Sequence, residues 1–394
     1  MLQVQEAIER LLSASFEGPE CERIDLLQAT GRVLAEDVVA VLNVPPADNS
    51  AMDGYAVRVE DARAAGGTLP VSTRVPAGQA PSPLKPGTAA RIFTGAEIPP
   101  GADAVVMQEN CDAEDGNVII RQMPEPGQNI RPRAQDIAAG DALLPAGHRL
   151  RPQDMGLLAS QGLGTINVYR RVRAAVLSTG DELVEPGKPV GPGQIYNSNR
   201  YTMTGLLQDW GMDVVDLGVA PDDPARIEAL FREAAEAADV LVCSGGVSVG
   251  EEDHVKPVVE KLGSLDLWRI AIKPGKPFAF GSVCGKPFIG LPGNPVSGFV
   301  TLLIIGRPFL FRMQGMAASP PIPAWLPARF NTPGSSREGY LRARYTDGGV
   351  ELFGNQSSGV LMSTSRSDGL VRQPVDTDIA EGDRVEFLPY ASFN

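Results

Sequence analysis

The composition is that of an acidic protein with several domains. The chain has 394 residues, which at about 100–200 residues per domain predicts two to four domains. Its net charge is −13, and an acidic chain without a basic block is a poor partner for DNA or RNA. The four cysteines lie more than 40 residues apart, and two histidines are present. These counts exclude a C-x-x-C motif and make the common zinc sites hard to build.

The sequence shows no sign of secretion or of a membrane span. The N-terminus lacks the basic and apolar regions of a signal peptide. The longest apolar stretch, Val296–Leu310, is interrupted by Gly, Thr and Arg. We therefore expect a soluble, cytoplasmic protein without a membrane partner.

The N-terminal part of the chain predicts a β-rich module set between helical segments. Residues 4–12 place apolar side chains on one helical face. A second short helix ends near Gly31, and residues 32–41 are typical of a strand. Residues 45–140 alternate short β-like runs with Pro/Gly turns, which predicts a loop-rich all-β module. A helix over Gln153–Gln161 then returns the chain to its N-terminal segment.

The pattern changes at Val172, where strands begin to alternate with helices. This alternation predicts an α/β domain with a parallel sheet, in which ligands bind beyond the carboxyl ends of the strands. The strands are predicted over Val172–Leu177, Asp213–Val219, Asp239–Cys243 and Pro287–Leu291, and the helices over Ser198–Trp210 (with Ser198 or Asn199 as N-cap), Asp223–Ala237, Asp253–Leu262 and Val296–Leu310.

The C-terminal part predicts a small β-barrel-like domain. Five prolines between Pro320 and Pro333 indicate a linker, and short strands follow it. The fold class is therefore α/β plus all-β modules. The predicted domains are a discontinuous N-terminal linker domain (1–44 and 141–171), a β-rich domain (45–140), the α/β domain (172–318) and the C-terminal β domain (319–394).

Two glycine-containing turns follow predicted strands of the α/β domain. The first is S-T-G-D-E-L, residues 178–183, whose free N–H groups and carboxylates suit a phosphate or a cation, although an ordinary solvated turn explains it equally well. The second is S-G-G-V-S-V-G-E-E-D-H, residues 244–254, where a phosphate cradle is plausible and Asp253 could cap a helix or hold Mg²⁺.

The second turn also contains G-x-S-x-G, the nucleophile motif of serine hydrolases. That fold needs a histidine late in the chain, and the one histidine after Ser248 is His254, six residues on. A serine hydrolase is therefore disfavoured.

Cations are concentrated in I-A-I-K-P-G-K-P-F-A-F-G, residues 270–281. Lys273 and Lys276 flank Pro-Gly, and Arg269 precedes them. Cations on a stiff turn suit an oxyanion or a phosphate. The alternative is a pair of solvated lysines on a hairpin, which we favour less because apolar strand residues surround them.

Other turns are ambiguous when taken alone. L-P-G-N-P-V-S, residues 291–297, leaves helix N–H groups exposed but also suits a helix start without a ligand. D-N-S-A-M-D-G-Y-A (48–56), I-F-T-G-A (92–96) and R-P-R-A-Q-D-I (131–137) are explained at least as well by structural turns.

Six of these motifs together resemble one family. They are S-A-M-D-G-Y-A, F-T-G-A, S-T-G-D-E-L, S-G-G-V-S-V-G-E-E-D, K-P-G-K-P and G-L-P-G-N-P, in this order between residues 50 and 295. Each is weak alone, but the ordered set is specific. It resembles the molybdopterin molybdenumtransferases, the MoeA family related to the E domain of gephyrin, over essentially the whole chain.

The resemblance implies an enzyme that completes the molybdenum cofactor. Members insert molybdate into adenylylated molybdopterin, release AMP and use Mg²⁺. The resemblance also implies a molybdopterin-binding α/β domain and a homodimer, with the site between the α/β domain of one subunit and the N-terminal β domain of the other. Other pathway proteins, among them the molybdopterin adenylyltransferase, are the implied partners.

The resemblance also assigns roles to residues of this chain. The oxyanion would be bound by Lys273, Lys276, Arg344 and Ser365, and less certainly by Arg269. Glu182 and Asp253 would hold Mg²⁺ near the pyrophosphate, and Asp222 would be a further acid. The turns that would hold phosphates contain Ser178, Thr179, Gly180, Ser244, Gly245, Gly246, Ser248 and Gly250. Pro292, Gly293, Asn294 and Pro295 would shape the pocket. Asp53, Thr94 and Arg131 would come from the neighbouring subunit.

Two other functions stay open at this point. A molybdopterin adenylyltransferase uses a similar α/β domain, although the flanking domains favour the molybdenumtransferase. A non-catalytic scaffold is the second alternative, because gephyrin also clusters receptors, but the chain has no long linker and no second catalytic module. A preference for tungstate is compatible with the same residues, since the two oxyanions have nearly the same size and charge.

Overall fold

The computed structural model describes residues 1–246, 254–317 and 319–394 and divides into two compact units. Unit 1 comprises Met1–Ala35, Ala146–Arg151 and Thr165–Asn394, and unit 2 comprises Glu36–Pro145 and Pro152–Gly164. Both units are thus built from more than one segment of the chain. The boundaries of the four predicted domains stay a prediction.

Unit 1 contains a six-stranded mixed sheet. In spatial order its strands are Asp213–Ala220, Arg173–Thr179, Val240–Ser244, Lys286–Leu291, Pro277–Val283 and Gly263–Arg269. The first four are parallel, as predicted, and the last two are antiparallel to their neighbours. The antiparallel edge is a hairpin, because Pro277–Val283 and Lys286–Leu291 are joined by a tight turn. As a result, the amino end of Pro277–Val283 lies beside the carboxyl end of Lys286–Leu291.

Helices cover both faces of this sheet. Alternate residues of Arg173–Thr179 point to opposite faces, so Val176 belongs to one apolar cluster and Leu177 to the other. Trp210 lies in the first cluster, and Phe231 lies in the second. The helices are Ser198–Asp209, Pro224–Ala237, Val255–Leu262, Pro295–Thr301 and Arg307–Met313. A π-helical turn at Leu302–Gly306 joins the last two. The N-terminal helix Val4–Ser13 adds buried residues to the first cluster.

Local signals set the helix starts. Asp223 caps Pro224–Ala237, because its Oδ1 accepts hydrogen bonds from Ala225 N at 2.7 Å and Arg226 N at 3.2 Å. The prediction of Ser198 or Asn199 as the cap of the preceding helix is wrong. The cap is Asn197, whose side chain accepts from Arg200 N at 3.3 Å.

The helical segment Pro295–Met313 is long and apolar enough to cross a membrane by length and composition. However, 89% of the 18-residue window on which this rests is buried inside the protein. Such burial is typical of a core helix in a soluble protein.

A second sheet in unit 1 contains the C-terminal strands. Its order is Ile272–Lys273, Glu338–Thr346, Gly369–Gln373, Arg384–Pro389 and Ala324–Pro327, with Gly349–Leu352 also paired to Glu338–Thr346. The shortest strand, Ile272–Lys273, leads into the turn between Lys273 and Lys276, called here the lysine turn. It pairs in parallel with Glu338–Thr346. Unit 1 also contains the strand pairs Cys21–Asp25 with Thr165–Tyr169 and Leu183–Val184 with Ile195–Tyr196, and the short helix Met362–Ser365.

Unit 2 is β-rich, as predicted. Its six-stranded sheet has the order Ala104–Met107, Gly54–Val57, Ala89–Ile92, Thr68–Val75, Asn117–Ile120 and Cys111–Glu114. Two short pairs, Asn49–Ser50 with Ile130–Arg131 and Val38–Val39 with Ala142–Leu144, and the helices Val59–Ala64 and Pro152–Ser160 complete it.

The predicted strand at residues 32–41 is shorter than expected. Within this range a strand is formed by Val38–Val39, while Val33 and Leu34 make isolated bridges to two different partners, Arg149 and Val168. The apolar run therefore does not follow a single neighbouring strand.

Asp239 lies at the amino-terminal edge of the α/β sheet. We expect its negative charge to stabilise the fold. Its carboxylate accepts from Arg170 Nη1 and Nη2 at 2.9 and 3.1 Å and from Arg173 N at 2.8 Å. Partial burial alone would raise the pKa of Asp239, but these hydrogen bonds hold it below its usual value. The stabilisation is therefore complete above the unfolded-state pKa and is lost as the pH falls through the lower folded-state pKa.

We expect Asp239→Asn to lower the free energy of unfolding by about 1–3 kcal/mol at pH 7. The deficit should shrink as the pH falls below about 4, because the carboxylate of the unfolded wild-type chain becomes protonated there and that of the folded protein follows at lower pH. Urea unfolding at pH 7 and pH 3 measures both effects. Asp213→Asn, at the exposed start of another strand of the same sheet, is the control. Equal midpoints for wild type and Asp239→Asn at pH 7 would show that the contact is not stabilising.

Candidate active site

A cleft of about 920 Å³ lies at the carboxyl edge of the parallel strands in unit 1. Turns that follow Arg173–Thr179, Val240–Ser244 and Lys286–Leu291 form much of it, together with the lysine turn and a loop of the C-terminal sheet. This is the sheet edge at which the sequence predicted ligands. The predicted residues that line the cleft are Ser178, Thr179, Gly180, Glu182, Asp222, Ser244, Gly245, Gly246, Lys273, Lys276, Pro292, Gly293, Asn294 and Pro295.

The acidic end of the cleft is formed by two neighbouring turns. Gly180 has φ +143°, and a Cβ there would lie 2.3 Å from Glu182 Oε2, so glycine lets the Glu182 carboxylate fold back over the turn. Asp181 N donates to Asp222 Oδ2 at 3.2 Å, and Asp222 N donates to Asp181 Oδ1 at 3.1 Å. These reciprocal bonds hold Asp222 beside the turn that carries Glu182.

The next turn packs too closely for any residue other than glycine. A Cβ on Gly245 would lie 2.6 Å from Thr179 O, and Gly245 has φ +95°. The side chain of Asn199 crosses the turn, since its Nδ2 donates to Ser244 Oγ and to Gly293 O, both at 2.7 Å. Asn199 therefore connects the ends of two strands. The predicted residues Ser248, Gly250 and Asp253 lie outside the described residues.

The cationic end of the cleft is the lysine turn. Lys273 and Lys276 are exposed and line the cleft, and neither forms an ion pair with a residue that the structure describes. Gly275 between them has φ +109°, which favours glycine. Arg337 Nη1 donates to Ile272 O at 3.1 Å and to Gly275 O at 3.0 Å, and so fixes the backbone of the turn. The two ammonium groups are thus available to an anionic ligand.

A loop of the C-terminal sheet, residues 356–359, forms another wall. Buried Arg342 anchors it: Nε donates to Ser363 Oγ at 3.2 Å and Nη2 donates to Ser357 O at 3.4 Å. Burial lowers the pKa of the Arg342 guanidinium to about 10, so it stays charged at neutral pH. Val296 N also donates to Ser358 O at 3.1 Å, which ties the loop to a helix start in the α/β part.

In unit 2, Asp53 holds the turn that contains Thr94. Its Oδ1 accepts from Thr94 N and from Thr94 Oγ1, both at 2.7 Å. The backbone bond and then the side-chain bond hold the pKa of Asp53 below its usual value. A Cβ on Gly54 would lie 1.9 Å from Val106 O, so the backbone here requires glycine. Arg131 is exposed on the strand that pairs with Asn49–Ser50.

Comparison with known proteins gives the family. Family models match residues 2–162 (MoeA N-terminal region, domain I and II), 175–312 (probable molybdopterin binding domain) and 326–390 (MoeA C-terminal region, domain IV). The molybdopterin molybdenumtransferase of Haemophilus influenzae is 46% identical over 319 residues, 80% of this chain and 78% of that protein. The chain belongs to the molybdopterin molybdenumtransferase family.

Further relatives agree over nearly the full length. Molybdopterin molybdenumtransferase 2 of Mycobacterium tuberculosis is 39% identical over 92% of this chain and 93% of its own. A crystal structure of the molybdopterin biosynthesis MoeA protein from Pyrococcus horikoshii OT3 superposes with a TM-score of 0.86 at 29% identity, covering 99% of this chain and 100% of that one. The predicted family and fold class are confirmed, and the chain is a transferase of molybdenum cofactor biosynthesis.

Three residues that the resemblance to the molybdopterin molybdenumtransferases assigned to the oxyanion do not line the cleft. Arg344 forms an ion pair with Glu351 on the adjacent strand, and Ser365 is exposed at the end of a short helix. Arg269 is exposed at the end of its strand, beside Pro277. Two residues before Arg344 and Ser365, the bonded pair Arg342 and Ser363 anchors the cleft loop instead.

Several residues at the molybdopterin molybdenumtransferase cleft were missed by sequence reasoning. Arg337 and Arg342 lie among the C-terminal strands, where no glycine-rich turn marks a site. Asn199 was considered only as a helix cap. A search for basic and amide side chains beside the predicted strands would have found them. The other missed lining residues are Ile195, Tyr196, Asn197, Ser198, Gln356, Ser357, Ser358 and Gly359, whereas Leu183, Pro274, Gly275, Pro277 and Ser297 belong to the predicted motifs.

Proposed function

We propose that this chain inserts molybdate into adenylylated molybdopterin and releases AMP, with Mg²⁺ as cofactor. The observation that carries the proposal is the cleft itself. It brings two lysines, which pair with no acid of the described residues, and two carboxylates together within the part of the chain that matches a molybdopterin-binding domain model. A cleft with separate acidic and cationic ends suits a phosphorylated substrate together with a small oxyanion.

Lys273 and Lys276 are proposed to bind the oxyanion. Their ammonium groups meet no carboxylate of the described residues, so the charge of the anion would not have to displace an existing ion pair. The bonds from Arg337 hold the turn, which keeps the loss of backbone entropy on binding small. Buried, charged Arg342 adds positive potential behind the adjoining loop.

The residues at the acidic end fit Mg²⁺. Mg²⁺ is usually held by one or two carboxylates together with substrate phosphates, and Glu182 and Asp222 both line the cleft. We propose that Glu182 holds the ion together with Asp253, with Asp222 as a further acid. The ion would supply charge neutralisation at the pyrophosphate. The described residues contain no cluster of three His, Cys, Asp or Glu side chains for a metal held by protein ligands alone.

The remaining turns are proposed to position the pyrophosphate. The backbone at Ser178–Gly180 and Ser244–Gly246 faces the cleft, and Pro292–Pro295 shapes its wall. Breaking a phosphoanhydride bond to release AMP depends mainly on positioning and charge neutralisation rather than on a covalent enzyme nucleophile. This requirement agrees with a cleft whose described lining contains no cysteine or histidine.

We further propose a cytoplasmic homodimer in which Asp53, Thr94 and Arg131 serve the cleft of the partner subunit. The family resemblance supports this proposal, since unit 2 carries motifs of the family far in sequence from the cleft. The molybdopterin adenylyltransferase and other proteins of the same pathway are the proposed partners.

The test is AMP release from adenylylated molybdopterin with Mg²⁺, with and without molybdate. We expect release that requires molybdate. Release without molybdate would indicate a hydrolase use of the cleft. No release in either case, combined with ATP consumption in the presence of molybdopterin, would indicate the adenylyltransferase instead.

A further inference from the structure

Two large apolar side chains are exposed at the cleft. Ile195 is 58% exposed and Tyr196 is 48% exposed, and both line the cleft. The turns around them present mainly carboxylates, hydroxyls, amides and backbone groups. Apolar area left open in a polar cleft indicates a ligand with an apolar face.

The position of these side chains follows from the sheet. Ile195–Tyr196 pairs in parallel with Leu183–Val184, which comes just after the strand Arg173–Thr179. The lysine turn leads into Pro277–Val283, which is the third strand along from Arg173–Thr179. At about 4.8 Å between neighbouring strands, the two strand ends are about 14 Å apart. The apolar pair thus belongs to the acidic end of the cleft, away from the lysines.

The ring of Tyr196 is held in place. Its hydroxyl donates to Lys188 O at 2.9 Å, within the same loop. Arg200 fixes the base of that loop, since Nη1 pairs with Glu185 Oε2 at 2.5 Å and Nε donates to Asp216 Oδ1 at 2.7 Å. A ring that is restrained before the ligand arrives loses little entropy on stacking.

We propose that Tyr196 is the stacking surface for a fused bicyclic nitrogen heterocycle of the substrate. The proposal rests on the proposed function, because adenylylated molybdopterin contains two such groups, a purine and a pterin. Stacking is largely insensitive to the substituents of the ring, so the two groups share the chemistry that Tyr196 would recognise. Tyr196 would act as a positioning and specificity residue, with the oxyanion bound at the lysine turn.

The experiment measures the affinities of the folded full-length protein for three probes by titration calorimetry: AMP, 6-methylpterin and molybdate. We expect Tyr196→Ala to weaken the binding of AMP, of the pterin or of both by about tenfold. Tyr196→Phe keeps the ring and should change these affinities less than about threefold, and molybdate affinity should not change. The probe that is affected identifies the heterocycle that stacks.

Trp325→Ala is the matched control. Trp325 is 54% exposed on the edge strand Ala324–Pro327 and does not line the cleft, so its removal should leave all three affinities unchanged. Unchanged AMP and pterin affinities in Tyr196→Ala would overturn the proposal, and so would a wild-type protein that binds neither probe. Failure of the proposed function is a separate result, because it would appear as wild-type protein that releases no AMP in response to molybdate.

Discussion

Replacing Lys273 and Lys276 together by alanine is expected to reduce molybdate-dependent AMP release at least about 100-fold, the cost typical of losing preorganised charge at an anion site. Both ammonium groups line the cleft without an ion pair to a described residue, so their charge is available to the ligand. Both side chains are exposed, and their loss should leave the fold intact. Steady-state release of AMP at increasing molybdate concentrations measures the effect, with calorimetry for molybdate affinity.

Lys286→Ala is the control for charge alone. Lys286 lies at the start of Lys286–Leu291, at the opposite end of that strand from the cleft, and should leave turnover unchanged. Lys276→Arg keeps the charge but alters the donor geometry, so partial activity is expected. Wild-type turnover and molybdate affinity in the double alanine variant would refute the role assigned to this turn.

Replacing Asp53 should abolish activity although Asp53 lies in unit 2. Asp53 Oδ1 is occupied by two hydrogen bonds from Thr94, whereas Oδ2 has no hydrogen bond from a described residue and keeps its charge for a ligand. Asp53→Ala removes both the hydrogen bonds to Thr94 and the negative charge. Asp53→Asn can preserve the bonds to Thr94 but loses the charge, so we expect it to fold normally and to fall at least about 100-fold in AMP release. Wild-type activity in Asp53→Asn would show that Asp53 has a structural role and that its charge is not needed.

Mixed dimers test whether the site is shared between subunits. An Asp53→Ala subunit combined with a Lys273→Ala/Lys276→Ala subunit would carry one intact site, if Asp53 serves the cleft of the partner subunit. We therefore expect about half of the wild-type activity per dimer from two inactive parents, a consequence of symmetric sharing. Absence of recovery in purified mixed dimers would place all site residues within one subunit.

The sequence predicted the fold class well because periodicity and turn residues act locally. Two of the parallel strands, Arg173–Thr179 and Val240–Ser244, are nearly continuous buried runs, as expected for strands covered on both faces. The antiparallel edge was harder to predict. The hairpin between Pro277–Val283 and Lys286–Leu291 turns at Cys284–Gly285, both with positive φ, and Cys-Gly is not among the strong two-residue hairpin signals.

The site was predictable where one turn carries its own signal. Glycines at positions 180, 245 and 275 each have positive φ, so the sequence marked these turns directly. Arg342 carries no such signal, because its role comes from burial against a loop more than ten residues later in the chain. Arg344, two residues on in the same strand, was assigned to the oxyanion by the family resemblance instead. In the sequence, Tyr196 looks like an ordinary surface residue. Its place at the cleft follows only from the order of the strands.

The pairing of Ile272–Lys273 has a consequence for how this protein can be divided. Lys273 ends a strand of the C-terminal sheet, hydrogen-bonded along Glu338–Thr346, whereas Lys276 directly precedes a strand of the α/β sheet. The spacing of the two ammonium groups is therefore set jointly by both sheets. A fragment that ends before the C-terminal strands would still contain both lysines. It would lack Glu338–Thr346, the strand whose pairing positions Lys273. The protein therefore cannot be divided between its two sheets without losing the proposed anion site.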